Sequence, residues 1–197
     1  MERHHHLRVG SSFPRERKDL AMIRILAVVA LAIGAAATAP AIASAQESSQ
    51  TAVANFIGKD GKETGRATLT AAGKGVLIEM EVTDLPKNTW VAFHVHEVGS
   101  CDPAGGYESA GKHFAGEDAN AEHGFLAQKG PHAGDMPNQY VGADGTLRAQ
   151  VFNSFVSLDD KGTAIRGRAL MIHARSDDNR SQPAGDAGDR LACAIIK

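Results

Sequence analysis

Between positions 76 and 82 apolar side chains fall on every second residue: Val76, Ile78, Met80 and Val82 are separated by Leu77, Glu79 and Glu81. A period of two places one set of side chains on one face of an extended chain, so this segment reads as a half-buried strand. Similar short runs recur beyond residue 45, with turn residues between them. Ala52, Ala54 and Phe56 mark the first, and the Asp60-Gly61 pair turns it into a partner over 64–70. Ala72-Gly73-Lys74-Gly75 leads into the strand at 76–82, which ends in the proline-containing stretch 84–88. Further strands are predicted over 90–96, 147–155, 164–173 and 191–196. None of this part of the chain shows the 3.6-residue period of an amphipathic helix. Such a sequence buries its apolar faces by packing sheet against sheet, so the predicted class is all-β, a sandwich or barrel in one domain.

Two stretches break the pattern. Residues 97–138 hold no strand or helix signal for long and are rich in Gly, Asp, Pro, Ala and His. A loop of that length in a compact domain is normally functional or braced. This one carries Cys101, His113, His123 and His132, so metal and disulfide are the natural braces. A second open stretch covers 174–189.

The N-terminal part reads as a leader. Residues 25–37, ILAVVALAIGAAA, are thirteen uncharged residues, too few for the roughly 20 of a membrane span but right for the core of a secretory signal. Arg24 precedes them, and the small residues Ala43-Ser44-Ala45 follow as a cleavage pattern. The predicted division is 1–45, an N-terminal extension plus signal peptide with its true start at Met22, and 46–197, the functional domain cut free after Ala45. His4, His5 and His6 fall in the extension and carry no functional argument. This predicts export, to a periplasm first and an extracellular space second, and no membrane attachment after cleavage.

Charge narrows the ligands. Six of the 21 basic and three of the 23 acidic residues lie before residue 25, which leaves 15 basic and 20 acidic in 46–197, a net of -5. No basic excess points to nucleic acid, and an anionic ligand needs a local positive focus. The chain has two cysteines, Cys101 and Cys193, and in an exported protein they predict one disulfide. Closing a loop of that length is worth about 4–5 kcal/mol in the chain-entropy account.

Six histidines lie beyond the extension: His94, His96, His113, His123, His132 and His173. His94 and His96 stand two apart on a predicted strand, so both rings share one face while Phe93 and Val95 point the other way. Two imidazoles on one face make a half-site for copper or zinc. His173 ends another strand and can approach from a neighbour. The loop adds His113, His123 and His132, with Asp135 three residues after the last. Three nitrogens and a carboxylate oxygen form a closed set that suits tetrahedral zinc.

The segments FHVHEVGSC, AGKHF, HG, GPHAGD, MIHARSDD and GDAGDRLACAII, in this order, resemble the copper/zinc superoxide dismutase family over essentially all of 46–197. The resemblance implies an immunoglobulin-like Greek-key β-sandwich or barrel with long metal-binding and electrostatic loops. It implies one copper and one zinc ion per chain. Copper falls to His94, His96, His113 and His173, and zinc to His113, His123, His132 and Asp135, with His113 bridging. Asp177 matches a carboxylate between the two metal sites, accepting from the outer nitrogens of His94 and His123. Cys101 and Cys193 match the family's disulfide, and Arg190 its active-site arginine. The implied activity is conversion of superoxide, a small anion, to O2 and H2O2 by alternating Cu(II) and Cu(I), with zinc structural and His113 exchanging a proton. A homodimer is compatible with the resemblance. The alternative is a related, non-catalytic copper-binding or copper-delivery protein; a zinc hydrolase is a weaker third reading, since Asp135 would close its open position. One departure stands out: Asp186 and Asp189 make the stretch before Arg190 acidic, and Arg175 and Arg180 are the only other cations expected to attract the anion, so weak long-range attraction is predicted.

Overall fold

Alternation alone accounts for the first three strands. The structure, a computed structural model, describes residues 50–197, so the predicted start, leader and cleavage site lie outside the described residues. Strands β1 (Thr51–Gly58), β2 (Glu63–Ala72) and β3 (Gly75–Val82) form an antiparallel meander across the two predicted turns. Their inward residues, among them Ala54, Phe56, Leu69, Val76, Ile78 and Val82, are fully buried. The outward face of β3 instead carries Glu79 and Glu81, which meet Gln150 and Arg148 across the sheet.

The predicted strand over 90–96 is two strands. β4 (Thr89–Val91) pairs with β6 (Gln139–Val141), whereas β5 (Phe93–His96) pairs with β8 (Ala169–His173). The chain changes partner at Ala92, whose N–H donates to the Arg175 carbonyl and whose own carbonyl accepts from His173 N–H. The short β6 left no signal in the sequence, because three residues cannot display a period. β7 (Leu147–Asn153) stops before Phe155, whose N–H is taken by the Asn153 side chain. β8 begins at Ala169 rather than at 164 because a turn, Arg168 N–H to Ile165 C=O, precedes it. β9 (Arg190–Ile195) closes the chain against β1 and β8.

The main sheet runs β5-β8-β9-β1-β2-β3-β7, with Greek-key crossovers wherever neighbours are not consecutive. Its apolar face includes Phe93 and Val95 from one edge strand and Leu147 and Val151 from the other, all in one core with Phe56 and Leu170. No α-helix is available to cover that face among the described residues, so the sheet covers itself by curling. The fold is therefore the all-β Greek-key sandwich or barrel that the sequence predicts. No helix among the described residues is long and apolar enough to cross a membrane. The only helical piece described is one 3-10 turn, Glu108–Ala110, inside the long loop.

Candidate metal centre

β5 is a sheet edge, and a bare edge offers unpaired backbone groups. The long loop takes them. Val95 N–H donates to Gly134 C=O, Phe114 N–H donates to Val95 C=O, and isolated bridges join His94 to Asp135 and His96 to His113. Two distant parts of the loop are thus laid along the strand that carries His94 and His96. Phe93 and Val95 point into the core as expected. His94 and His96 point away from it, yet both are buried because the loops close over them.

Four rings meet on one side of this cluster. His96 Nδ1–H donates to the Gly111 carbonyl at 3.0 Å, and His173 Nδ1–H donates to the Gly188 carbonyl at 3.3 Å. A carbonyl only accepts, so these bonds leave both Nε2 atoms as bare lone pairs. Those two atoms face each other at 3.4 Å. His94 Nδ1 and His113 Nε2, also buried, have no hydrogen-bond partner. His94, His96, His113 and His173 each offer a ligand atom within 4.8 Å of the others. Buried lone pairs that face one another without a proton need an electrophile, and imidazole nitrogens suit copper.

The other side is built around Asp135. Its Oδ2 accepts from the N–H groups of Gly124 and His132, at 2.8 and 3.0 Å, which anchors the carboxylate and turns Oδ1 inward. Oδ1 lies 3.0 Å from both His113 Nδ1 and His123 Nδ1 and 3.7 Å from His132 Nδ1. His94, His113, His123 and Asp135 likewise each offer an atom within 4.8 Å of the others. His94, however, uses Nε2 on Asp177, whereas His132 Nδ1 is buried and unpartnered, so the chemistry favours His132 as the fourth donor. With His132, three nitrogens and one oxygen could hold an ion here, the kind of donor set that zinc takes.

Asp177 ties the two sides together. Oδ2 accepts from His94 Nε2 at 2.8 Å and Oδ1 from His123 Nε2 at 3.0 Å. Both rings therefore turn their Nδ1 atoms inward. These contacts set the ionisation of the metal-free cluster. Burial, reinforced by His94, pushes His113 down to about 3. Burial and the neighbouring rings hold His96 and His173 well below the ordinary histidine value. Burial opposes the charge of His123 too, but bonds from Asp135 and Asp177 raise it to about 9. Asp135 and Asp177 lie below the usual carboxylate range, because histidine hydrogen bonds outweigh their burial.

Arg190 lines the mouth of the cluster formed by His94, His96, His113 and His173. Its Nη1 donates to Tyr107 C=O at 2.6 Å and its Nη2 to Gly111 C=O at 2.8 Å, so one carbonyl fixes both Arg190 and His96. The cross-link Cys101–Cys193 joins the long loop to β9, three residues from Arg190. The open cleft here is lined by His96, His113, His173, Arg190, Lys59 and Lys112, among others. This corrects the expectation about cations. Arg175 is spent on Asp186 at 2.7 Å, and Arg180 does not line the cleft. Lys59, from the β1–β2 turn, and Lys112, beside His113, do line it, and Lys59 is paired there with Asp189 at 3.2 Å. Their one sequence signal was Lys112's adjacency to a predicted ligand; nothing in the sequence marked Lys59.

Comparison with known proteins shows the family. Residues 63–196 match the family described as copper/zinc superoxide dismutase. A copper-zinc superoxide dismutase of Aquifex aeolicus is 43% identical over 148 residues, covering 73% of this chain and 86% of its own. One from Caulobacter vibrioides is 39% identical over 145 residues, covering 70% and 80%. The solved structure of the Brucella abortus Cu/Zn superoxide dismutase superposes with a TM-score of 0.61 at 26% identity, over 75% of this chain and 99% of that one. The fold, the converging imidazoles and these likenesses agree: the chain belongs to the copper/zinc superoxide dismutase family, and it is an oxidoreductase that uses copper and zinc.

Proposed function

We propose that the histidine cluster is where this superoxide dismutase holds its metals and handles its substrate: copper on His94, His96, His113 and His173, zinc on His113, His123, His132 and Asp135, with the His113 ring shared. The observation that carries this reading is the pair of bare Nε2 atoms on His96 and His173, held face to face by carbonyls that consume both Nδ1 protons. When bound, copper supplies the one-electron couple that takes superoxide to O2 and H2O2, and zinc supplies a fixed, redox-inert charge.

The chain's own residues do the rest. Arg190 is a permanent cation with a planar donor fork, and its carbonyl anchors aim it into the cleft, where it binds and orients a small anion. Lys112 adds positive potential at the entrance of an otherwise acidic domain, whereas the charge of Lys59 is paired with Asp189 at 3.2 Å. His113 presents Nδ1 to the Asp135 side and Nε2 to the copper side, so it can take and give up a proton at Nε2 while Nδ1 stays engaged. Asp177 keeps the rings of His94 and His123 from rotating. The non-catalytic reading is not favoured: every expected donor and the arginine are present and converge.

Reconstitution tests the assignment. Protein loaded with both metals is expected to hold about one copper and one zinc per chain and to consume superoxide, in keeping with the donor sets. Uptake of zinc alone from a copper-replete mixture, without superoxide consumption, would overturn it. The Cys101–Cys193 bond supports an oxidising compartment and hence export, most directly to a periplasm. Cell fractionation tests that destination, and sedimentation equilibrium tests the homodimer.

A further inference from the structure

His123 sits in a part of the loop without regular structure, yet its ring is completely buried. Something must fix the main chain beneath that ring. Among the described residues the only hydrogen bonds to the backbone of His123 come from one side chain, Gln182, fifty-nine residues away. His123 N–H donates to Gln182 Oε1 at 2.9 Å, and Gln182 Nε2 donates to His123 C=O at 2.9 Å. The amide thus copies the paired donor and acceptor of a neighbouring strand. The second Nε2 hydrogen goes to Arg180 C=O at 3.0 Å, which fixes the amide's own orientation.

A reciprocal grip lies across the ring. Asp177 N–H donates to Asn138 Oδ1 at 2.7 Å, and Asn138 Nδ2 donates to Asp177 C=O at 2.8 Å. The His123 Nε2 to Asp177 Oδ1 bond therefore joins two residues whose backbones are each held by an amide from the other segment. Gly185 seals the arrangement: a side chain there would overlap Asp177 Oδ1 and crowd His123 Nε2, and its φ of +67° suits glycine.

We propose that Gln182 is a positioning residue for the zinc side of the centre, holding the His123 backbone so that Nδ1 stays aimed at the donor set. The proposal rests on the metal assignment above and goes beyond it, because Gln182 touches no ligand atom. Gln182 is itself solvent-exposed apart from this contact, so replacing it leaves no cavity in the core.

Cobalt(II) is the probe, since its visible bands report ligand geometry at a zinc-type site. The full chain, its metal-free form prepared by chelation, is compared with Gln182→Met, which keeps length but loses both bonds, and with His123→Ala. The wild type is expected to take one equivalent of cobalt with tetrahedral bands that His123→Ala loses. Gln182→Met is expected to show weaker, shifted bands, about tenfold weaker binding and correspondingly faster release to excess chelator, as for the loss of other groups that orient a ligand. If wild type and His123→Ala give the same cobalt spectrum, the metal assignment fails and this proposal with it. If those two differ but Gln182→Met matches the wild type in spectrum and release rate, the role of Gln182 alone is overturned. A lower melting temperature of metal-free Gln182→Met with unchanged cobalt behaviour would make the contact merely structural and overturns it equally.

Discussion

At the scale of single residues, function rests on which nitrogen of each ring is left free. A carbonyl beside His96 and another beside His173 decide that, and a carboxylate decides it for His94 and His123. His113 has one ring nitrogen for each side, Nδ1 at 3.0 Å from Asp135 Oδ1 and Nε2 buried without a hydrogen-bond partner. Replacing it by alanine is expected to leave the strands intact by circular dichroism and to lower superoxide turnover by at least about 100-fold, the lower range for losing a positioned proton carrier. Unchanged turnover would reject the shared ring. Arg190 acts by charge and fork geometry. Arg190→Ala is expected to lower the rate about tenfold at low salt and to flatten its decline as salt is added. Lys112→Ala should show a smaller loss that vanishes near 1 M salt, where charges are screened beyond about 3 Å. A variant with the parent's salt profile would remove that residue from the guidance of the anion.

At the scale of elements, the edge of β5 is the assembly surface for the centre. Gly134 makes this close approach workable, since a Cβ there would run into the Val95 carbonyl. Gly134→Ala is expected to cost about 1–3 kcal/mol, as overpacking does, and to impair uptake of both metals. Thermal melts and metal titrations check this together; full metal affinity in that variant would show that the loop does not need the edge. The cross-link from the long loop to β9 acts on the same assembly from the other end. Replacing Cys101 and Cys193 by serine is expected to destabilise the protein by about 2–5 kcal/mol in denaturant unfolding.

At the scale of the whole molecule, the cluster couples folding to pH when metals are removed. Unfolded histidines titrate near 6.5, but His96, His113 and His173 refuse protons while folded. Their contribution is present above 6.5 and is lost as pH falls from there, for His113 down to about 3. His123 has the opposite sign: its proton is held up to about 9, so its contribution is fully present below 6.5 and is lost as pH rises from there through about 9. Three against one puts greatest stability of this cluster near pH 6.5, with the steeper fall on the acid side. The melting temperature of chelator-treated protein is expected to drop between pH 6.5 and 4; a flat profile there would contradict the burial of neutral rings. Metals compete with protons for the same nitrogens, so loading should move this fall to lower pH.

The sequence by itself determined the all-β class and its longer strands, the facing of His94 and His96 and the residue types available as donors. Each of these is a local property: a period of two sets direction, and a side chain carries its own ligand chemistry. It left four things to the tertiary structure. The break at Ala92, the three-residue β6, the cations at the cleft and the grip of Gln182 on His123 all depend on partners far away in the chain. A strand changes neighbours where another segment offers its backbone, and a lysine lines a cleft because a turn from elsewhere is placed beside it. No pattern within a short window of sequence carries that information, because the hydrogen bonds that decide it are made only when the loops close over the sheet.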